Sequence, residues 1–178
     1  RILELKKVDN LKEVWPNLEV YFHGGVSFTP YKELFDQLFN NNKVAFMQLY
    51  SASEGFFGIQ DERVSNEMLL MLDYGIYYEF IPVSELQKEN PRTYNLSEVQ
   101  KDKDYAMLIT TNAGLWRYQV GDTIRFTSLN PFRIKVTGRT KHHINVFGEE
   151  LIVENTDSAL AKTCEMLSCE ILDYTVAP

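Results

Sequence analysis

The sequence predicts a mixed α/β fold, with a covered strand and amphipathic helices first and a compact antiparallel sheet afterwards. Two observations support this prediction. Residues 44–49 form a short continuous apolar run, as expected of a strand covered on both faces in a parallel or mixed sheet. From Tyr105 onwards, strand-like runs alternate with Asn-Ala-Gly, Gly-Asp and Asn-Pro turn signals, which is typical of an antiparallel, barrel-like unit.

Two segments with helical spacing precede the covered strand. Residues 2–15 mix apolar and charged positions at that spacing, and Pro16 forces a break before an extended run at residues 18–22. A second helix begins at Pro30, because proline suits the first helical position, and the asparagines at 40–42 end it. Its predicted buried stripe comprises Tyr31, Leu34, Phe35, Leu38 and Phe39.

The second half of the chain is predicted to be mostly strands. Residues 69–72 and 76–81 form two strands joined by a turn at 73–75, and residues 84–104 form a polar excursion with short helical turns. Further strands are predicted at 105–111, 115–119, 123–127, 132–136 and 144–147, followed by an amphipathic helix at 152–167.

Composition excludes several classes of protein. With 178 residues, 44% of them apolar, the chain can fill a sizeable core. A net charge of -7 argues against binding to nucleic acid or to an acidic membrane as the main task, since both need a basic surface. The chain has no apolar run of the roughly 18 residues that span a membrane and no secretory leader, so we expect a cytoplasmic protein. Cys164 and Cys169 are expected to be reduced.

Two polar motifs follow predicted strands in the first half. Gly24 and Gly25 lack a Cβ and would let a flat ligand approach the backbone, although a plain tight turn explains them as well. Residues 50–55 read Tyr-Ser-Ala-Ser-Glu-Gly: the aromatic ring could stack on a base, the serines could donate to phosphate oxygens, and Glu54 could bind Mg2+. A serine-capped helix start is the alternative for this motif.

Two further motifs follow in the second half. Asp122, after Gly121, could accept both hydroxyls of a ribose, and a simple turn is the alternative. Arg139 and Lys141 flank a glycine turn and could bind a phosphate, and a solvated surface pair is the alternative. His23, His142 and His143 lack metal-ligand spacing and are interpreted as structural or solvent-facing. The sequence contains no nucleophile elbow, Walker-type loop or dinucleotide fingerprint.

The order of these segments resembles that of the nucleotide-binding motifs of the adenylate-forming superfamily. The segments concerned are residues 23–28, 50–54, 116–122 and 138–141. Within that superfamily, residues 15–18, 24–28 and 110–118 resemble the auxin-responsive promoter family, the acyl acid amido synthetases. The match extends over nearly the whole chain. The resemblance implies a ligase that uses ATP to turn a carboxylic acid into an acyl-adenylate, whose AMP an amino acid amine then displaces.

The resemblance also implies roles for individual residues. Gly24, Gly25 and Tyr50 would bracket adenine, and Ser53 would contact the α-phosphate. Glu54 would bind Mg2+, which with ATP completes the cofactors that we expect. In the second half, Asp122 would hold the ribose, Arg139 would reach ribose or phosphate, and Lys141 would be the hinge to a mobile domain. The candidate catalytic residues are accordingly Glu54, Arg139 and Lys141.

The predicted domains follow from this resemblance. Residues 1–104 would be the sheet-plus-helix part of an N-terminal adenylation domain, and 105–141 an antiparallel barrel-like subdomain ending at the hinge. Residues 142–178 would begin a small α+β C-terminal domain. The usual phosphate loop and most of the mobile domain are missing, so we expect a piece of a longer protein that is inactive by itself and prone to self-association.

Three functions remain open from the sequence. The first is amide synthesis from a carboxylic acid and an amino acid, with neither nucleic acid nor membrane as a partner. The second is an acyl-coenzyme A ligase, which shares the adenylation step and differs in the acceptor. The third is a non-catalytic nucleotide-binding or scaffold domain that keeps the motifs as inherited structure.

Overall fold

The computed structural model describes residues 1–25, 28–39, 44–140, 144–146, 149–151, 153–167, 169, 171 and 174. Some predictions therefore lie outside the described residues: the end of the second helix at 40–42, the hinge at Lys141, the interpretation of His142 and His143 as structural or solvent-facing, and the end of the predicted strand at Phe147. Among the described residues, no helix combines the length and the apolar character that crossing a membrane requires.

The helices are short except for the last. The predicted first helix is two pieces, because Lys7 adopts a left-handed conformation (φ 55°) and ends the first piece. The second helix starts as a 3-10 turn at Thr29–Tyr31 with Pro30 in it, as predicted. A further 3-10 turn lies at Val83–Glu85. The α-helices are α1 (Ile2–Lys6), α2 (Leu11–Val14), α3 (Lys32–Leu38) and α4 (Val153–Leu167).

Eight strands form one mixed sheet, and two short strands form a separate hairpin. The strands are β1 (Val20–His23), β2 (Ala45–Ala52), β3 (Gly55–Ile59), β4 (Met68–Leu70), β5 (Ile76–Pro82), β6 (Asp104–Thr111), β7 (Tyr118–Leu129), β8 (Phe132–Arg139), β9 (Ile144–Val146) and β10 (Glu149–Leu151). The order in the large sheet is β1-β2-β3-β4-β8-β7-β6-β5. Only β1 and β2 run parallel in it, which confirms the predicted mixed α/β class.

The sheet curls around one aromatic core. β3 and β5 are separated by four strands in the sheet, yet the rings of Phe57 and Tyr78 lie 6.4 Å apart, centroid to centroid. The Tyr78 hydroxyl also donates to the Met71 carbonyl at 3.0 Å. Burial of large side chains inside the curl supplies the main stabilisation of such a sheet. The fully buried members include Phe57, Met68, Phe80, Tyr105, Phe126 and Ile134.

One turn predicted from the sequence is different in the structure. Gly121 and Asp122 were predicted to separate two strands, but they lie inside the twelve-residue strand β7. Residues 73–75 do connect two strands as predicted, although the connected strands are not neighbours in the sheet: β4 pairs with β3 and β8, whereas β5 pairs with β6. Glycine and aspartate favour a turn and a bulge alike, and the local sequence does not specify which strands pair.

The two halves of the sheet meet between β4 and β8. This ladder contains two residue pairs, Met68 with Ile134 and Leu69 with Arg133. The Arg133 guanidinium is 10% exposed and bonds to both carboxylate oxygens of Asp61 and to Glu62. The aspartate carboxylate raises the pKa of Arg133, and the arginine lowers the pKa of Asp61. These charge-assisted, bidentate bonds of Arg133 therefore add to the few backbone contacts of the short β4–β8 ladder.

The predicted domain boundary at residues 104 and 105 remains a prediction. The boundary falls after the first residue of β6, and seven residue pairs join this strand to β5 in one sheet. The predicted helix at 152–167 corresponds to α4, which contacts the Thr29–Tyr31 turn and β8. Both cysteines are free thiols, as predicted.

Candidate functional site

The parallel strand β1 ends opposite the middle of β2. His23 pairs with Gln48, so Gly24 lies against Leu49 of β2. A Cβ at Gly24 would stand 2.5 Å from the Leu49 carbonyl oxygen, so this glycine is required by backbone packing. Gly25 has φ +85° and open space around it. The adenine contact predicted for Gly24 and Gly25 remains a prediction.

The Tyr50 motif is a strand end followed by a tight hairpin. β2 continues to Ala52, and Ser53 and Glu54 form the connection to β3. This geometry contradicts the alternative of a serine-capped helix start. Ser53 is exposed at the connection, which leaves its hydroxyl accessible for the predicted phosphate contact.

Asp122 projects from a bulge in β7. Between β6 and β7, Leu108 pairs with Gln119 and Ala106 with Thr123, so two steps along β6 match four along β7. The extra residues are accommodated at Gly121, whose φ is +91°. Bulges redirect a side chain without ending a strand, and here the redirected side chain is the carboxylate of Asp122.

Both oxygens of the Asp122 carboxylate have a partner in the site: one accepts a hydrogen bond and the other forms an ion pair. The Tyr50 hydroxyl donates to Oδ2 at 2.9 Å, and Nε of Arg139 lies 3.2 Å from Oδ1. Burial raises the pKa of Tyr50 strongly, and the negative charge of Asp122 adds to this rise, so Tyr50 remains a proton donor. Tyr50 is 7% exposed and packs against Phe57, so its stacking on adenine stays a prediction that requires opening of its ring face.

A second tyrosine donates to the other candidate carboxylate. The Tyr118 hydroxyl lies 3.0 Å from Oε1 of Glu54. The hydrogen bond to Glu54 raises the pKa of Tyr118, and the carboxylate charge adds to the rise. Tyr118 starts β7, four positions before Asp122 in the chain, and Glu54 follows Tyr50 by the same spacing.

These four residues form an arrangement that we call the tyrosine clasp: Tyr50, Glu54, Tyr118 and Asp122. Tyr50 of β2 donates to Asp122 of β7, whereas Tyr118 of β7 donates to Glu54 after β2. Three strands separate β2 from β7 in the sheet, so the clasp closes across the curl. Both carboxylates predicted to contact a nucleotide or its metal are therefore held by a tyrosine from the other segment.

The structure thus connects four of the eight predicted site residues. Tyr50 donates a hydrogen bond to Asp122, Arg139 forms an ion pair with the same carboxylate, and Glu54 is joined to β7 through Tyr118. Within the described ranges, no three His, Cys, Asp or Glu residues cluster as metal ligands. The predicted roles of the site residues remain predictions.

Sequence reasoning missed Tyr118 and Arg117 as members of the site. Arg117 has φ 45°, its amide donates to the Thr110 hydroxyl at 3.0 Å, and its guanidinium bonds to Glu79 at 2.9 Å. The matching four-residue spacing of Tyr50–Glu54 and Tyr118–Asp122 is the sequence signal that could have identified Tyr118.

Gly121→Ala is expected to destabilise the fold by about 1–3 kcal/mol, because a side chain at this positive φ is strained. The new Cβ would also touch the guanidinium of Arg139, at 3.8 Å from Nη2. Chemical denaturation of the full-length protein measures the loss. Gly114→Ala is the control, since Gly114 has φ +99° in open space. We expect only Gly121→Ala to weaken AMP binding, and equal AMP affinity in both variants would contradict a functional bulge.

Family models and known proteins match this chain. A model described as the GH3 family central domain matches residues 69–139, and one described as the GH3 family N-terminal domain matches residues 1–44. The indole-3-acetic acid-amido synthetase GH3.3 of Arabidopsis thaliana is 30% identical over 124 residues, which cover 66% of this chain and 20% of that protein. The chain therefore spans about a fifth of the length of this relative.

Solved structures share the fold. A GH3.15 acyl acid amido synthetase matches with a TM-score of 0.67 and 22% identity, over 89% of this chain and 28% of that one. A 2-hydroxyisobutyryl-CoA ligase in complex with 2-HIB-AMP and CoA matches with a TM-score of 0.61 and 16% identity, over 90% of this chain and 38% of that one. The chain shares the fold of the matching part of these enzymes. The two family models together match more than half of the chain, which belongs to the GH3 family.

Proposed function

We propose that the full-length protein is an ATP-dependent acyl acid amido synthetase. In this reaction a carboxylate oxygen attacks the α-phosphorus of ATP and pyrophosphate leaves. The nitrogen of an amino acid amine then forms the amide bond as the bond to AMP breaks. The names of the relatives support this proposal, since they are indole-3-acetic acid-amido synthetases. Indole-3-acetic acid is accordingly the first carboxylic acid to test.

The observation that supports the proposal most directly is the hydrogen-bonding capacity left at Asp122. An ionised carboxylate offers about four lone-pair sites. Tyr50 donates to Oδ2, and Arg139 forms an ion pair with Oδ1. As far as the described residues show, each oxygen keeps capacity for a further hydrogen bond, which matches the two hydroxyls of a ribose. The Asp122 side chain is 18% exposed, so these bonds would form in a partly desolvated place where they are strong. Arg139 would then neutralise charge beside the ribose or the α-phosphate.

Glu54 is suited to hold a magnesium ion together with the phosphates of ATP. Mg2+ in such sites keeps several waters and uses one or two carboxylates, so a three-residue cluster is not needed. Oε1 of Glu54 accepts from Tyr118, and Oε2 has no hydrogen bond or ion pair with the residues that the structure describes. The donor set therefore fits. A bound Mg2+ would neutralise charge that builds on the leaving pyrophosphate, and Ser53 beside it would contact the α-phosphate.

Exchange of labelled pyrophosphate into ATP tests the proposal. The full-length protein, incubated with ATP, Mg2+ and one carboxylic acid at a time, should exchange pyrophosphate only with an accepted acid. An amino acid should then release AMP and give an amide detectable by mass spectrometry. Exchange with no acid in a broad set would contradict the proposal and favour a non-catalytic nucleotide-binding or scaffold domain.

An acyl-CoA ligase is the second candidate. The similarity to the fold of a 2-hydroxyisobutyryl-CoA ligase favours it, because the adenylation step is shared. The acceptor separates the two functions. Release of AMP that depends on coenzyme A rather than on an amine would select the ligase.

Three further predictions from the sequence belong to this proposal. Lys141 would be the hinge between the two half-reactions. The protein would be cytoplasmic and would bind neither nucleic acid nor membranes. The isolated 178-residue chain would be inactive and would self-associate.

A further inference from the structure

We propose that Tyr118 is a positioning residue for Glu54, holding Oε1 of the carboxylate so that Oε2 is presented to the metal ion. This inference rests on the proposed function, since it needs Glu54 to be the Mg2+ ligand. In this role Tyr118 would act through Glu54 and would not itself take part in the reaction.

The position of Glu54 explains why its carboxylate needs to be held. Glu54 lies in the tight connection between β2 and β3, and no hydrogen bond or ion pair to another described residue holds its carboxylate apart from that of Tyr118. A glutamate side chain has several rotamers, and ordering them at the moment of metal binding costs free energy. The Tyr118 bond at 3.0 Å supplies part of this order in advance.

Contacts of the neighbouring residues fix the backbone at Tyr118. Its neighbour Arg117 has a left-handed φ of 45°, which turns the chain into β7. The Arg117 amide donates to Thr110, and its guanidinium bonds to Glu79 and Thr93 at 2.9 and 3.3 Å. Tyr118 then enters the ladder opposite Ile109 of β6. The backbone of Tyr118 is therefore held by the sheet, independently of the bond to Glu54.

The two hydrogen bonds of the tyrosine clasp are arranged symmetrically. Tyr50 holds the candidate ribose ligand Asp122 in the way that Tyr118 holds Glu54. Two carboxylates that contact different parts of one nucleotide must keep a fixed separation, and active sites depend on such preorganisation. The two bonds run in opposite directions between the same two segments, so they fix both carboxylates relative to each other.

The protonation state agrees with a positioning role. Acceptance by Glu54 raises the pKa of Tyr118 above the ordinary phenol value of about 10. The hydroxyl therefore stays protonated and donating at neutral pH and does not act as a base. Its bond persists until the pH rises through the raised pKa, where the bond is lost.

Tyr118→Phe in the full-length protein tests the inference, because it removes the hydroxyl and keeps the ring. Loss of a residue that orients a metal ligand typically costs about 10- to 100-fold in metal affinity, and we expect about tenfold here because the site is open to solvent. The Mg2+ concentration for half-maximal adenylation should rise by that factor. The rate at saturating Mg2+ and the affinity for AMP should stay near those of the unchanged protein. Tyr77→Phe, which alters another exposed tyrosine, is the control.

A double-mutant comparison separates this inference from the proposed function. In a Glu54→Gln background, Tyr118→Phe should add no further change in Mg2+ dependence, because its partner is already altered. If Glu54→Gln raises the Mg2+ requirement and Tyr118→Phe does not, the inference is wrong and the metal role of Glu54 survives. If Glu54→Gln itself has no effect, both are wrong. Equal losses of AMP affinity and of rate in Tyr118→Phe would indicate a structural role and overturn the inference.

The ultraviolet absorbance of ionised tyrosines provides a measurement that does not depend on catalysis. In an alkaline titration without ligand, Glu54→Gln should shift the ionisation of one tyrosine to lower pH, towards about 10, because the charged acceptor is lost. The shift should vanish in the Tyr118→Phe background. A titration curve that Glu54→Gln leaves unchanged would show that the bond does not form in solution.

Discussion

Asp122→Ala in the full-length protein is expected to weaken the binding of a non-hydrolysable acyl-adenylate analogue about thirtyfold, or roughly 2 kcal/mol. The expected loss corresponds to two charge-assisted hydrogen bonds to the ribose hydroxyls. The Tyr50 hydroxyl, on a residue only 7% exposed, would also lose its acceptor. Isothermal titration calorimetry measures the affinity, and circular dichroism establishes that the variant is folded.

Tyr50→Phe is the matched control for this prediction. It removes the donor to Oδ2 of Asp122 and keeps the carboxylate, so ribose binding should weaken by less than in Asp122→Ala. Arg139 would still hold Oδ1. A folded Asp122→Ala variant with unchanged affinity would remove the ribose role. An equal loss in the two variants would assign the effect to the Tyr50 bond instead.

Glu54→Gln is expected to lower the rate of adenylation about a hundredfold, as removal of one preorganised contact to developing charge commonly does. The affinity for AMP should remain within about twofold, because the metal acts where charge builds on pyrophosphate, which AMP lacks. Pyrophosphate exchange measures the rate and calorimetry measures the affinity. The two measurements together distinguish a metal ligand from a residue that supports the fold.

Glu33→Gln provides the control for the change in charge. Glu33 lies exposed in α3 and undergoes the same neutralisation away from the clasp. Its adenylation rate should equal that of the unchanged protein. A Glu54→Gln variant that retains its rate, or that loses rate and AMP affinity equally, would contradict the metal role.

Local patterns were sufficient for the elements that bury one regular face. The covered run at 44–49 lies at β2, and the helical pattern at 152–167 matches α4 to within one residue at its start. The first was recognised from a continuous apolar run and the second from apolar residues at helical spacing, both of which are local signals. The strand at 132–136 was also predicted, and the structure extends it to Arg139.

Gly121 illustrates why local chemistry can give the wrong element. A glycine followed by an aspartate permits the positive φ that many turns need, and the sequence was interpreted accordingly. Here the same φ of +91° forms a bulge within a strand. β6 pairs with β7 before and after Gly121, and β8 pairs with the other edge of β7 from Asp122 onwards. Whether the chain reverses is decided by these partners, which are distant in sequence.

The candidate site was predictable as a set of residues but not as a network. Tyr50, Asp122 and Arg139 each lay in a recognisable motif, and the structure joins them by one hydrogen bond and one ion pair. The bond between Tyr118 and Glu54 spans 64 positions in the chain and closes across a curl that no local pattern specifies. Contacts of this kind follow from strand order, which a single sequence does not determine.

The short ladder between β4 and β8 has a consequence for folding. Strands β5 to β8 follow one another along the chain and pair with their neighbours, so they can form early, whereas β4 and β8 join residues far apart in sequence. Tyr50 and Glu54 belong to one side of this junction, and Tyr118 and Asp122 to the other. In that order of events the tyrosine clasp would close only once the β4–β8 ladder and the ion pair between Arg133 and Asp61 had formed.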